Sequence, residues 1–487
     1  MGNVLGSLEP KSVWNFFEEI TQIPRPSKKE EKIAAYIIDF AKKHGFEYKT
    51  DKLGNIVVRK PATPGMENRV PTVIQGHLDM VCEKNADVEF DFLTDPIQPW
   101  IDGDWVKAKG TTLGADNGIG LAMGLAVLAS NDIPHPPMEL LCTLDEETGL
   151  TGAVQLGTDL LNGRILINLD SEEDGAFTIG CAGGTNTSAT FMYDEDAVPS
   201  GSVAYEVAIR GLQGGHSGIE IHDGRANAIK LLNRFLWTIT KNLDVRISSL
   251  KAGSAHNAIP REAFAVVTLS PAIENQFKER VAEFDRIYKS EWQSKEKNIS
   301  LTAQTTSLPT RIMSKSLQKR LLTSIYAAPH GPLRYSPDIP GLVQTSTNLA
   351  IIETRPLEIF ILTSQRSSVE TEKTDMANTV RSAFELGGAV VRHGDGYPAW
   401  QPNINSPILN TAIKIYKEMT GKEPKVEAIH AGLECGLIGE KYPGMDMLSF
   451  GPTLKEVHSP NEKVQISTVQ NCWNLLVKIL ENIPEKN

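Results

Sequence analysis

Short apolar runs that stop on acidic or imidazole side chains constrain this chain most. "TVIQGHLDM" carries His77 and Asp79 at its end, "MELLCTLDEE" carries Asp145, Glu146 and Glu147, "RILINLD" ends on Asp170, and "MDMLSFGP" precedes His458. Short, nearly continuous apolar runs bounded by turn residues mark strands buried on both faces, the style of a helix-flanked, mostly parallel sheet. The sharpest case is "TLDEETGL", residues 143–150, with three acids in a row after the apolar "MELLC". Adjacent carboxylates repel, and the end of a buried strand is a poor place to leave them uncompensated. Some positive charge has to make Asp145, Glu146 and Glu147 tolerable neighbours.

With 487 residues the chain is too long for one ordinary core, and two domains are expected. A hydrophobic share of 40% and a charged share of 22% fit a globular enzyme. The net charge of −11 argues against nucleic acid and anionic membrane as partners, though not against a small substrate in a cleft of local opposite sign. Five cysteines without a C-x-x-C spacing fit a reducing compartment. The start, "MGNVLGSLEPKSVWNFF", lacks the basic and apolar regions of a signal peptide, and Gly6 stands where a myristoylation motif wants Ser or Thr. No run of 18 apolar residues suggests a membrane span. The expected location is cytoplasmic.

Residues 11–45 read as amphipathic helix broken by "IPRPS", with Ser27 the expected cap of "KKEEKIAAYIIDFAKKHG". "ADNGIGLAMGLAVLASN" reads as a helix of small residues suited to close packing on a sheet, and "ISTVQNCWNLLVKILENI" as a closing helix. The middle differs. "VAYEVAIRG" and "AFAVVTLS" alternate as half-exposed antiparallel strands do, with amphipathic helices such as "ANAIKLLNRFLWTITKN" between them. The expected architecture is an α/β domain from residues 1–186 and 398–487, with an α+β domain of residues 187–397 inserted, which has room for two related halves.

In an open α/β sheet, ligands bind in the crevice at the carboxyl ends of the strands. His77, Asp79, Asp116 in "TTLGADNGIG", Glu146, Glu147, Asp170 and His458 could therefore converge from distant segments. The missing positive charge is then a pair of divalent metal ions. Two dications about 3.5 Å apart repel by roughly 19 kcal/mol at an effective dielectric of ~20. Only nearby anions make such a pair bearable. Imidazole and carboxylate ligands suit zinc first, with manganese or cobalt as alternatives. A carboxylate left over beside the pair can serve as general base. Plainer readings stand beside these: Asp116 as a helix N-cap, "DEE" as a solvated turn, "GGHSG" as a structural turn, and Arg366 as a surface residue of a strand.

Taken in order, "GHLDMV", "GADNGIG", "DEETG", "NLDSEE", "GGHSG", "NAIPRE", "HAGLECG" and "VHSPNE" resemble the bacterial cytosolic aminoacyl-histidine dipeptidases. These belong to the co-catalytic metallopeptidase family that also holds aminoacylases, carboxypeptidases and carnosinases. The resemblance runs from about residue 10 to 484. It implies His77 and Asp170 as ligands of one metal, Glu147 and His458 as ligands of the other, and Asp116 as the bridge. It implies Asp79 as the acid that orients the His77 ring, Glu146 as general base, and a cis peptide after Asp116. In the inserted domain, the family's lid, it implies His216 as an oxyanion contact and Asn257 and Arg366 as holders of the substrate carboxylate. Gly432 would let the backbone approach the substrate, and Glu434 would meet the free amine. The implied reaction is hydrolysis of dipeptides with a free amino terminus, Xaa-His included. Deacylation of N-acyl amino acids, tripeptide cleavage, and non-catalytic binding of metal or peptide are the rivals. A homodimer through the lid is implied as well, or else a lid whose two halves complete the site in one chain.

Overall fold

The computed structural model describes residues 4–486. They form two compact units. The first takes the chain up to Cys181, then Pro402–Ala428 and everything from Leu433 onward; the second takes Ala182–Gln401 and Ile429–Gly432. The unit boundary falls at 182 rather than the expected 187, because the strand Gly183–Met192 pairs along its whole length with Glu358–Ser367. Its first residues, two glycines and a threonine, carry no alternating pattern that would announce it.

The first unit is built on an eight-stranded sheet. Its centre holds four parallel strands side by side: Met138–Thr143, Thr72–His77, Ile165–Asn168 and Asp446–Ser449. Antiparallel strands flank them on both sides. The registers set Thr143 opposite His77, Gln75 opposite Asn168, and Asn168 opposite Ser449. The segments that follow these strands therefore emerge at one edge of the sheet. All six side chains of Thr72–His77 and of Met138–Thr143 are buried, as nearly continuous apolar runs require. The helix Ala115–Ala129 lies on this sheet at short range. A Cβ on Gly124 would stand 2.5 Å from Leu140 Cδ1, so glycine there lets the helix sit close without displacing that side chain.

Ser27 does not cap a helix. The helix runs Glu31–His44 with Glu30 at its N-cap, and the Ser27 hydroxyl donates to Asp79 Oδ2 at 2.7 Å. The hydroxyl gives its proton to a buried carboxylate in a charge-assisted bond, and no side chain caps the helix. No helix among the described residues is long and apolar enough to cross a membrane.

The second unit carries a nine-stranded antiparallel sheet. Its topology is duplicated. In one half the strand Val203–Arg210, helix Ala228–Asn242, strands Arg246–Ala252 and Ala263–Leu269, helix Glu274–Trp292 and strand Ser300–Thr305 follow in order. In the other the order is Gly183–Met192, helix Lys315–Ala327, Val343–Thr354, Glu358–Ser367, helix Glu370–Glu385 and Val390–Tyr397. Each half lays its strands in the spatial order last, first, third, second. The halves join where Lys251 and Ala252 pair with Glu353 and Ile352. One core serves both, with Phe191, Phe235, Phe277, Tyr288 and Phe384 fully buried.

Phe277 packs against Tyr205 at a ring-centroid distance of 5.3 Å and against Phe235 at 6.4 Å. Phe277→Ala is expected to destabilise the second unit by about 3–5 kcal/mol. Urea unfolding followed by a probe in that unit checks this.

Candidate metal centre

Within the first unit, the strand ends bring together five carboxylates and two imidazoles. His77 Nε2 lies 2.9 Å from Asp116 Oδ1 and 3.4 Å from Asp170 Oδ1. His458 Nε2 lies 3.1 Å from Asp116 Oδ2 and 3.1 Å from Glu147 Oε2. Asp116 thus faces a different histidine with each oxygen. Two candidate ligand groups result, His77 with Asp116 and Asp170, and Asp116 with Glu147 and His458. A further grouping, His77 with Glu146 and Glu147, places Glu146 at their edge.

The donor set fits a pair of divalent ions. Tetrahedral bonds of about 2.0–2.1 Å put ligand atoms about 3.3 Å apart, close to the spacings found here. Glu147 Oε1 and Asp170 Oδ1 are buried and have no hydrogen-bond partner, which is costly for a carboxylate unless a cation satisfies it.

Asp79 organises the neighbourhood without joining either ligand group. Its Oδ1 lies 3.3 Å from His77 Nδ1, and its carboxylate accepts the backbone N–H of Glu146 at 3.0 Å and of Glu147 at 3.2 Å. One side chain therefore lies against the imidazole and holds the turn that presents the two glutamates. Asp145 adopts φ 48° and accepts the hydroxyls of Thr148 and Thr151, at 2.6 and 2.5 Å. Its carboxylate is spent on shaping the turn. Of the acids that follow Asp170, Glu172 and Glu173 are exposed and Asp174 is half-buried.

Also in the first unit, Glu434 is buried, with one oxygen held by Gln75 at 2.6 Å and Thr143 at 2.8 Å and the other without a hydrogen-bond partner. Two residues that sequence reasoning missed complete the frame. In sequence Arg25 reads only as part of a helix break, yet it is buried and donates to the carbonyls of Leu78 at 2.9 Å, Asp79 at 2.5 Å and Gly114. Glu462 is buried too and accepts the backbone N–H groups of Leu113, Gly114, Ala115 and Asp116. No local pattern betrays either role; only the position of Glu462 inside "VHSPNE" hints at it.

The second unit assembles its own polar group. His216 sits on the short strand Gly215–His216, paired to Ala258–Ile259, and the N–H of Ser217 donates to the Asn257 carbonyl at 2.7 Å. The His216 Nδ1 accepts the N–H groups of Gly218 at 3.1 Å and Ile219 at 3.2 Å, so the ring proton resides on Nε2. Burial, with Arg366 beside it, holds this imidazole below its ordinary pKa and hence neutral near pH 7. Arg366 is buried and bonds the Tyr397 hydroxyl at 2.7 Å, with its Nε unpartnered. Gly432 has a packing reason: a Cβ there would stand 2.8 Å from the Tyr397 ring. His430 is also in this group, its Nε2 2.7 Å from Ser346 Oγ, and burial pushes its pKa down to about 3.

Burial pushes the Asp170 and Glu434 carboxyls each up to about 7, against the pull of His77. Bonds to Asp116 and Glu147 carry the His458 imidazole up to about 11. For each of these groups the folded state holds a proton that the unfolded chain releases at lower pH, so stability falls as pH rises. Metal-free protein is therefore expected to lose thermal stability steadily from about pH 4 to 7, the window between the ordinary carboxylate value and 7. Added zinc competes with those protons and is expected to remove most of the loss. Melting curves with chelator and with zinc, across this range, check both.

Residues 73–482 match the family model described as peptidase family M20/M25/M40. The cytosol non-specific dipeptidase of Escherichia coli is 43% identical over 482 residues, 99% of each chain. The aminoacylhistidine dipeptidase of Vibrio alginolyticus superimposes with a TM-score of 0.94 at 44% identity, over 99% of both chains. The aminopeptidase PepT of Bacillus cereus shares the fold at a TM-score of 0.56 and 16% identity, over 98% of this chain and 100% of that one. The chain belongs to peptidase family M20/M25/M40 and is a hydrolase of peptide bonds.

Proposed function

We propose that this protein is a metal-dependent dipeptidase acting on dipeptides with a free amino terminus, Xaa-His included. The observation that carries the reading is the shared carboxylate, Asp116, with Oδ1 facing His77 and Oδ2 facing His458. His77 and Asp170 would hold one divalent ion, Glu147 and His458 the other, and Asp116 both. Zinc suits the donors first, with manganese or cobalt as alternatives. When bound, the ions supply a water of lowered pKa and a Lewis-acid pull on the scissile carbonyl.

Glu146 takes the proton that the attacking water gives up and delivers it to the leaving amine. Its environment suits that role. Burial, and then the neighbouring acids Asp170, Glu434 and Glu147, push its carboxyl well above the ordinary value against the pull of His77. A carboxylate whose proton affinity is raised in this way is suited to such a shuttle. Asp79 holds the His77 ring and the Glu146–Glu147 turn in register. The unpartnered oxygen of Glu434 is suited to the substrate's ammonium group.

In the second unit, the neutral His216 offers its Nε2–H to the developing oxyanion. Arg366 and Asn257 are assigned to the substrate carboxylate, which a guanidinium can bond at two points. Gly432 lines this group beside Tyr397. The names of the Escherichia coli and Vibrio relatives support the substrate class. Five cysteines without a C-x-x-C spacing, and the cytosolic relative, support a cytoplasmic location.

Glu146→Ala is expected to retain about two metal ions per chain while losing about 10²–10⁴-fold in hydrolysis. Metal analysis beside a dipeptide assay reads both, and full activity in the variant would sink the role given to Glu146. Hydrolysis of β-alanyl-histidine and other free-amine dipeptides, without turnover of N-acetyl amino acids or tripeptides, is the expected specificity. Preferential cleavage of N-acetyl amino acids would instead make the protein a deacylase. Chelation by EDTA is expected to abolish turnover, with recovery on adding zinc, manganese or cobalt.

A further inference from the structure

We propose that Arg25 and Glu462 form a positioning clamp that fixes the direction in which Asp116 presents its two oxygens. The inference rests on the metal-centre reading above and extends it to two residues outside the ligand set. Both side chains are only 2% exposed, and neither makes an ion pair among the described residues. They grip backbone instead. The peptide group between Gly114 and Ala115 accepts from Arg25 at its carbonyl and donates to Glu462 at its N–H, the latter at 2.7 Å. A buried cation and a buried anion thus hold opposite ends of one peptide dipole, next to the residue that both ligand groups share.

The same guanidinium also donates to the carbonyls of Leu78 and Asp79, directly after His77. Arg25 therefore ties the His77 loop to the Asp116 loop through main-chain atoms. The loop sequence is built around it. A Cβ on Gly114 would stand 2.7 Å from Arg25 Nη2, and one on Gly118 would stand 2.8 Å away. Two glycines of "GADNGIG" thus leave the room taken up by an arginine about ninety residues earlier in the chain. On the far side, Glu462 gathers four consecutive N–H groups, from Leu113 at 2.8 Å to Asp116 at 3.3 Å. Lysine cannot replace Arg25, because one ammonium lacks the fork that spans three carbonyls. Glutamine matches Glu462 in shape but turns an N–H donor toward N–H groups.

The test uses the full chain stripped of metal and titrated with cobalt(II), whose visible absorption reports ligand geometry. Parent, Arg25→Lys and Glu462→Gln are compared, with Phe277→Ala as a control that loses stability elsewhere. The parent is expected to take up about two ions. Each clamp variant is expected to bind them about 10–100-fold more weakly, as loss of partners behind metal ligands does, with an altered visible spectrum. Phe277→Ala should keep the parent affinity and spectrum. Clamp variants that match the parent within about twofold in affinity, with the same spectrum, overturn the proposal while leaving the metal centre intact. A parent that binds no cobalt overturns the metal-centre reading and the clamp together. Should Arg25→Lys fail to fold, the near-isosteric Glu462→Gln decides by the same thresholds.

Discussion

Repulsion among Asp116, Glu146, Glu147 and Asp170 is the constraint that the first unit has to satisfy before it can do anything else. Four carboxylates gather at the end of one sheet, and two of their oxygens are buried without a hydrogen-bond partner. Buried charge of one sign is costly, and hydrophobic packing cannot offset it. The fold answers with several weaker positives. Two imidazoles sit between the carboxylates, the Asp79 carboxylate is satisfied by backbone N–H groups and a hydroxyl, and Arg25 lies beneath the loop that carries Asp116. None of these hydrogen-bonds Glu147 Oε1 or Asp170 Oδ1. The residual demand is for cations from outside the chain, and the spacing of the nitrogens and oxygens suits two of them.

That constraint also explains why the three acids of "TLDEETGL" are not equivalent. Asp145 turns its oxygens to Thr148 and Thr151 and takes a left-handed backbone that starts the turn. Glu147 reaches His458. Glu146 has its backbone held by Asp79, and its carboxyl stands at the His77 edge, outside the two groups that share Asp116. Backbone direction therefore separates three adjacent carboxylates into a turn former, a group paired with His458 and a group left at the His77 edge, which is where the proposed ligand and proton-carrier roles part. Periodicity alone cannot make that separation, because it depends on where each side chain leaves the turn.

Much of the first unit could be read from the chain. The buried strands announce themselves as apolar runs, and parallel registers bring their polar ends together. What stayed hidden has a common physical cause. Arg25 and Glu462 act on main-chain atoms far away in sequence, and a backbone carbonyl or N–H leaves no mark on residue type. Ser27 has the composition of a helix cap, but Asp79 stands 52 residues later and offers a charged acceptor. The packing of Gly432 on Tyr397 is likewise a contact between distant residues. The motifs carried the proposed ligands; the buried residues behind them left only glycines as a trace.

The second unit shows the same limit at the level of topology. Its two halves share strand order and helix placement, yet no sharp repeat marks them in sequence. The reason lies in how they are nested. The first half lies wholly between the opening strand, Gly183–Met192, and the first helix, Lys315–Ala327, of the second half. A repeat interrupted by its own copy has no single period for a sequence comparison to find. The strands differ in length as well, eight residues in Val203–Arg210 against ten in Gly183–Met192. What the halves keep in common is the physical requirement: helices over one face of a four-stranded antiparallel layer, joined at equivalent strands so that one core serves both. Side-chain identities can drift freely under that requirement while the arrangement of strands cannot.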